Sequence, residues 1–161
     1  MIAGVAPATA DDLDFLAGMG QDNLDEFGEA AAGEGRIRAY LDAARSGLQN
    51  ATAAELVTEM ASLLPEIDRA VLTDEYGEDM AASFHEAVRL GVDGWLDDDL
   101  AFLEDWGLAL DEITVPTSLW QGTADLMVPP SHGEWFASHL PQAKVTILEG
   151  EGHLGLSARL S

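Results

Sequence analysis

The chain of 161 residues contains no cysteine and few basic residues. The lack of cysteine excludes disulfides, zinc sites built on thiolates and a cysteine nucleophile. Only 7 Lys and Arg stand against 30 Asp and Glu, for a net charge of −23. Binding to nucleic acid or to an anionic membrane surface needs positive charge, so this balance disfavours both. The negative charge favours solubility through repulsion between copies of the chain. The alternative interpretation is an acidic surface that binds a basic partner.

Long apolar runs are also missing. No run approaches the roughly 20 residues that span a bilayer. The N-terminal "MIAGVAPATADD" is briefly apolar but has no basic region before it, so it is a poor signal peptide. The default expectation is a cytoplasmic protein.

What the chain does contain is enough apolar sequence for a core. Hydrophobic residues make up 47% of it, and its length suits one domain. From residue 9 to about residue 106 the apolar spacing is helical. Thr52 and Glu55 form a capping-box pattern that predicts a helix start, and Pro65 and Gly91 predict helix ends.

Three consecutive acids, Asp97 to Asp99, lie near the start of a predicted helix that begins at Asp93. Negative charge suits the positive end of the helix dipole there. Neighbouring residues on a helix point about 100° apart, so these three are not expected to bind one metal ion.

After Gly107 the pattern changes. The segment from Ile113 to Gly122 is typical of a buried strand, and residues 144–150 are typical of a second strand. Between them, residues 130–141 predict a helix whose inward side chains are Trp135, Phe136 and Leu140. A strand, a helix and a strand over this length predict a βαβ unit with parallel strands.

Two polar residues follow these strands. Asp125 comes just after the first and His153 just after the second. The carboxyl ends of parallel strands meet at one edge, where chemistry collects. A carboxylate beside an imidazole fixes its tautomer and stabilises its charged form, so the ring can move a proton. Gly150 and Gly152 are expected to let the histidine loop turn sharply.

The segments "VPTSLWQGTADLMVP", "HGEWFASHLP" and "EGEGHL" resemble the C-terminal part of the α/β-hydrolase superfamily. The resemblance is specific from about Gly94 to Leu156 and loose in the helical region before it. It implies that Asp125 is the acid and His153 the base of a catalytic triad acting on ester, amide or related bonds in the parent family, on a small-molecule substrate. It implies no cofactor, and no phosphate loop, dinucleotide fingerprint or metal-ligand spacing is present. His132 and His139, seven residues apart, and His85 are read as surface or structural residues.

The superfamily's nucleophile sits in a Gly-x-Ser-x-Gly elbow, which this sequence lacks. None of the serines lies on a turn of the required kind; they are Ser46, Ser62, Ser83, Ser118, Ser131, Ser138, Ser157 and Ser161. The superfamily's oxyanion loop is missing too. The chain is therefore expected to be inactive alone. Four explanations stay open: a non-catalytic remnant, a piece of a split hydrolase, a shortened gene prediction, and a proteolytic product or deliberate truncation.

The expected fold is α/β, a truncated α/β-hydrolase with about three parallel strands corresponding to family strands 6, 7 and 8. Residues 1–7 are expected to form the first strand, residues 8–92 a helical cap, and residues 93–161 the C-terminal core segment. An open strand edge and a bare core face predict a homodimer, or a complex with a separate N-terminal half. The alternative function is a non-catalytic dimeric binding or interaction protein derived from a hydrolase.

Overall fold

The computed structural model describes residues 1–72, 74–107 and 109–160, and its fold is mixed α/β as predicted. Two parallel strands and eight α-helices lie in these ranges. The strands are β1 (Thr117–Gly122) and β2 (Ala143–Leu148). The helices are α1 (Gln21–Ala31), α2 (Glu34–Leu48), α3 (Ala53–Glu59), α4 (Glu66–Val71), α5 (Asp74–Ala87), α6 (Asp93–Leu103), α7 (Pro130–His139) and α8 (His153–Leu160).

The βαβ unit predicted from the sequence is present as β1, α7 and β2. The strands pair in parallel, in a register that runs from Thr117 opposite Ala143 to Gly122 opposite Leu148. Leu119 from β1 and Phe136 from α7 are buried together with Leu140 and Ala6. Burial of such side chains stabilises by about 1.5–3 kcal/mol each, so this small core holds α7 against the sheet.

The N-terminal residues form a single parallel bridge, from Ile2 to Trp120, where a third strand was expected. The Ala3 N–H donates to the Trp120 carbonyl at 2.8 Å, and the Trp120 N–H donates to the Met1 carbonyl at 3.0 Å. Ala3 has a φ of 42°, which lies outside the extended region and turns the chain away after one bridge. Pro7 carries no N–H and could not extend the ladder.

His132 fastens this N-terminal segment to α7. The ring is fully buried. Its Nδ1 accepts from the Ala6 N–H at 3.1 Å, and its Nε2 lies 3.0 Å from the Phe15 carbonyl. These partners fix the neutral tautomer with the proton on Nε2. Burial lowers the pKa of His132, against the Phe15 hydrogen bond and the charge of Asp125, which raise it. His132 is therefore a structural residue.

The helices α1 to α6 form a second group beside the sheet, here called the helical part. Ile37 and Leu41 of α2 are buried against Leu96 of α6. The capping box predicted for α3 is present: the Thr52 side chain accepts from the Glu55 N–H, and the Glu55 carboxylate accepts from the Thr52 N–H. Although residues 93–103 were assigned to the C-terminal segment, α6 packs on α1 and α2. The boundary between residues 92 and 93 stays a prediction.

The helix predicted to end at Gly91 is shorter in the structure. It ends at Ala87, and residues 88–90 form a turn before Gly91, which has a φ of 135°. No helix among the described residues is long and apolar enough to cross a membrane.

Asp99 is buried, with only 4% of its surface exposed, whereas its neighbours Asp97 and Asp98 are exposed. It lies beside Glu26 of α1, which also accepts a hydrogen bond from the Trp95 indole N–H at 2.6 Å. Burial, the charge of Glu26 and the hydrogen bond between the two side chains raise the pKa of Asp99 to about 8. This raised pKa favours a neutral Asp99 carboxyl at neutral pH, which removes the repulsion between it and the half-buried Glu26.

This pair makes stability depend on pH. A carboxyl with a folded-state pKa of about 8 and an ordinary value of 3.8 binds its proton more tightly in the folded state. Its stabilisation is complete below the ordinary value and is lost as the pH rises through about 8, at up to about 1.4 kcal/mol per pH unit. We expect Asp99→Asn to reduce this loss, measured as the free energy of unfolding in urea below pH 5 and above pH 8.

Asp97→Asn is the matched control, because Asp97 is an exposed acid on the same helix. It removes one negative charge without touching the pair. An Asp99→Asn variant with the same pH dependence as the unaltered chain would contradict the raised pKa of Asp99.

Candidate catalytic site

Asp125 is held rigidly in the loop that follows β1. Its Oδ1 accepts from the backbone N–H groups of Met127 at 2.9 Å and Val128 at 2.8 Å, and its side chain is fully buried. The Gln121 amide donates to the Val128 carbonyl at 2.8 Å and lies 3.5 Å from Asp125 Oδ2. Because two backbone donors occupy Oδ1, Oδ2 is directed to another partner.

That partner is His153. The ring Nδ1 of His153 lies 2.9 Å from Asp125 Oδ2, so the N–H on Nδ1 donates to the carboxylate. His153 is the first residue of α8, directly after the β2 turn. Its side chain is 26% exposed, and the ring Nε2 has no hydrogen-bond partner among the residues that the structure describes. In the neutral ring this arrangement leaves Nε2 unprotonated and able to accept a proton.

The electrostatics favour a charged imidazole. Burial lowers the pKa of His153, but the hydrogen bond to Asp125, its charge and the charge of Asp68 together outweigh burial and raise that pKa above its usual value. A base of this kind stabilises the imidazolium that forms when it takes a proton. The structure thus brings together the two residues that the sequence singled out.

A third carboxylate lies beside the pair and was not anticipated from the sequence. Asp68 of α4 is fully buried. Its Oδ2 accepts from the His153 N–H at 2.9 Å, and its Oδ1 accepts from the Gly155 N–H at 2.7 Å. Burial raises the pKa of Asp68, against these two backbone donors, which lower it. An acid two residues into a helix that follows Pro65 has the pattern of a solvated first turn, so no sequence signal set it apart.

The two glycines of the histidine loop have different roles. Gly150 has a φ of 76°, the turn geometry that was expected. Gly152 is needed for close packing: an alanine Cβ there would overlap the Asp68 carboxylate. A Cβ on Gly122, at the end of β1, would likewise overlap the Glu151 carbonyl. The loop is therefore tightly packed on both sides.

No serine hydroxyl is hydrogen bonded to the His153 ring within the described residues. The Ser157 hydroxyl donates to the His153 backbone carbonyl at 3.2 Å, and the Ser62 hydroxyl donates to Asp22 at 2.7 Å. Ser161 lies outside the described residues. Asp125 and His153 are thus paired, but no serine hydroxyl of the described residues is bonded to the His153 ring.

The remaining histidines have structural partners. His85 Nε2 lies 2.9 Å from the Ala51 carbonyl. His139 stacks on Trp135 with ring centroids 4.0 Å apart. Among the described residues, no group of three or more His, Asp or Glu side chains could hold a metal ion.

Comparison with known proteins gives a similarity over part of the chain. Over 49 residues the chain is 37% identical to the pimeloyl-[acyl-carrier protein] methyl ester esterase of Aromatoleum aromaticum. The match covers 30% of this chain and 20% of that esterase. No family model and no solved structure matches. The chain is therefore similar in part to a hydrolase, and the matched region spans about a fifth of that relative's length.

The interaction between Asp125 and His153 is open to a direct test. We expect Asp125→Asn to lower the pKa of His153, because the variant loses the charge and the acceptor that raise it. A raised histidine pKa stabilises fully below the ordinary value of 6.5, and this stabilisation is lost as the pH rises through the folded-state value. The free energy of unfolding of Asp125→Asn should therefore be lower than that of the unaltered chain by about 1–3 kcal/mol at acidic pH, and by less at alkaline pH.

The measurements are an NMR titration of the His153 ring and urea unfolding at both pH extremes. Glu66→Gln is the control, since Glu66 is an exposed acid outside the loop. An unchanged titration of His153 in Asp125→Asn would contradict the pairing.

Proposed function

We propose that this chain supplies the acid and the base of a serine-type hydrolase site that cleaves carboxylic esters or related acyl bonds. Asp125 is the acid and His153 the base. The observation that carries the proposal is the 2.9 Å hydrogen bond from His153 Nδ1 to a fully buried carboxylate, with Nε2 left without a partner in the described part of the chain. This is the geometry that a hydroxyl nucleophile needs beside it.

The chemistry of the pair follows from its geometry. His153 Nε2 would take the proton of an attacking hydroxyl and later return it to the leaving alcohol. Asp125 would keep the proton on Nδ1 and stabilise the imidazolium between these steps. The backbone donors of Met127 and Val128 hold Asp125 in place, so little reorganisation would be needed.

An ester substrate is supported by the partial similarity to a methyl ester esterase. The name of that protein describes its own substrate. For this chain only the bond class is proposed, because the similarity covers 30% of its residues.

We propose further that the nucleophile comes from a Gly-x-Ser-x-Gly segment outside this sequence, which pairs with the open edge at Ile2. The bridge uses the backbone groups of Met1, Ala3 and Trp120. The N–H and carbonyl of Ile2 have no partner among the described residues and face the other side. Met1 is 46% exposed and Ile2 44% exposed, so apolar surface lies along this edge.

The second candidate is the non-catalytic homodimer expected from the sequence. It is favoured by the same open edge, together with the absence of a serine bonded to His153 in the described residues. Both candidates use the edge at Ile2, but only the first needs the ring of His153.

Labelling with a fluorophosphonate tests the hydrolase proposal. We expect no adduct on the chain alone, measured by intact mass. When the chain is joined to or mixed with a Gly-x-Ser-x-Gly segment encoded beside it, labelling should give one adduct, on the serine of that segment. His153→Ala should slow labelling below detection, because losing one member of such a triad costs on the order of 10⁶ in rate.

His139→Ala is the control, a histidine stacked on Trp135 and away from Asp125. Labelling of the complete protein that is unaffected by His153→Ala would contradict the proposed base. An adduct on the chain alone that His153→Ala abolishes would place the nucleophile within this sequence.

Substitutions at Ile2 test the edge. Proline at this position removes the outward N–H while the bridge through Met1, Ala3 and Trp120 needs no donor from it. We expect Ile2→Pro to weaken association at least tenfold in sedimentation velocity, whether the partner is the nucleophile segment or a second copy.

Ile2→Ala is the matched control, because it removes the apolar side chain and keeps the N–H. Equal weakening by both variants would show that the side chain, and not strand pairing, carries the contact. A chain that stays monomeric and binds no nucleophile segment would contradict both candidates.

A further inference from the structure

Asp68 has a geometry that the acid–base pair alone does not explain. It lies on α4, in the helical part, and its carboxylate reaches the first turn of α8, where it accepts from the N–H groups of His153 and Gly155. The carboxylate is fully buried. The two parts of the chain that meet here are 85 residues apart in sequence.

The position before α8 is Gly152, which has no side chain to cap the helix. Helices usually obtain this cap from a Ser, Thr, Asp or Asn at that very position, at little cost in burial. Here a carboxylate from α4 satisfies the N–H groups instead, at the cost of its own desolvation. The arrangement therefore ties α8 to α4, which a local cap would not do.

The fit at Gly152 supports the same conclusion. An alanine Cβ at this position would overlap the Asp68 carboxylate, and one on Gly155 would meet Ile67 at 3.3 Å and Asp68 at 3.4 Å. Gly152 does not have a positive φ, so the backbone itself would accept alanine. Glycine is required there by the approach of Asp68.

Two carboxylates therefore hold His153 from two directions. Asp125, after β1, binds the ring, and Asp68, on α4, binds the backbone N–H of the same residue. Glu151, in the same loop, pairs with Arg159. Asp125 and Asp68 are thus the acids that act on the imidazole.

We propose that Asp68 is a positioning residue for His153: it anchors the histidine backbone to α4, so that the position of the helical part sets how the ring meets Asp125. The inference rests on the proposed function, since it concerns the same acid–base pair. A movement of α4 would then change how His153 meets Asp125, because a shift of Asp68 would release the first turn of α8.

The test is an NMR titration of His153 in this chain, which needs no nucleophile. We expect Asp68→Asn to lower the pKa of His153, by less than Asp125→Asn does, and Glu66→Gln to leave the titration as it is. Glu66 is the matched control because it is an exposed acid on the same helix. The loss of the Asp68 charge lowers this pKa in any case. An unchanged titration in Asp68→Asn would therefore overturn the proposal, and a variant that keeps the charge is needed to show positioning.

Gly152→Ala provides a second variant, in which the charge of Asp68 is kept but its carboxylate is displaced. We expect it too to lower the pKa of His153. If the variants do not fold, amide hydrogen exchange of the unaltered chain tests the same contact. The His153 and Gly155 amides should exchange slowly, and exchange as fast as in open loops would overturn the proposal.

The outcomes separate the two proposals. An Asp125→Asn variant without effect on His153 would overturn the acid–base pair and with it the proposed function. An effect of Asp125→Asn together with none from Gly152→Ala would overturn only the role of Asp68, whatever Asp68→Asn does through its lost charge.

Discussion

The hydrogen bond between the buried carboxylate of Asp125 and Nδ1 of His153 is the interaction on which the site depends. It requires β1 and β2 to be parallel neighbours, so that their carboxyl-end loops meet. It also requires that Asp125 Oδ1 be occupied by backbone donors, which leaves Oδ2 for the ring. The small core between α7 and the strands serves this geometry by fixing the two loops relative to each other.

The helical part contributes to the site through one buried residue. Asp68 joins α4 to the first turn of α8, which begins at His153. Leu64 and Leu72, on either side of α4 in the sequence, pack with Leu154 of α8 in one buried cluster. The acidic residues of the chain are thus not all on the solvated surface, because Asp68, Asp99 and Asp125 are buried. Asp68 and Asp125 both accept hydrogen bonds from His153.

Much of the fold and the pair itself could be predicted from the sequence. A βαβ pattern places loops at one edge, and Asp125 and His153 are the polar residues that follow its strands. The N-terminal strand could not be predicted to shrink to one bridge, because the φ of Ala3 depends on packing. Asp68 and Asp99 could not be recognised either, since an acid in an early helical turn has the same local pattern whether water or protein covers it.

The tautomer of neutral His153 tests the pairing with Asp125 directly, by ¹⁵N-detected correlation spectra of the labelled ring at alkaline pH. We expect a proton on Nδ1, held by Asp125, and an unprotonated Nε2. A proton on Nε2, which is the commoner form of a histidine without such a partner, would show that the ring is not arranged as a base.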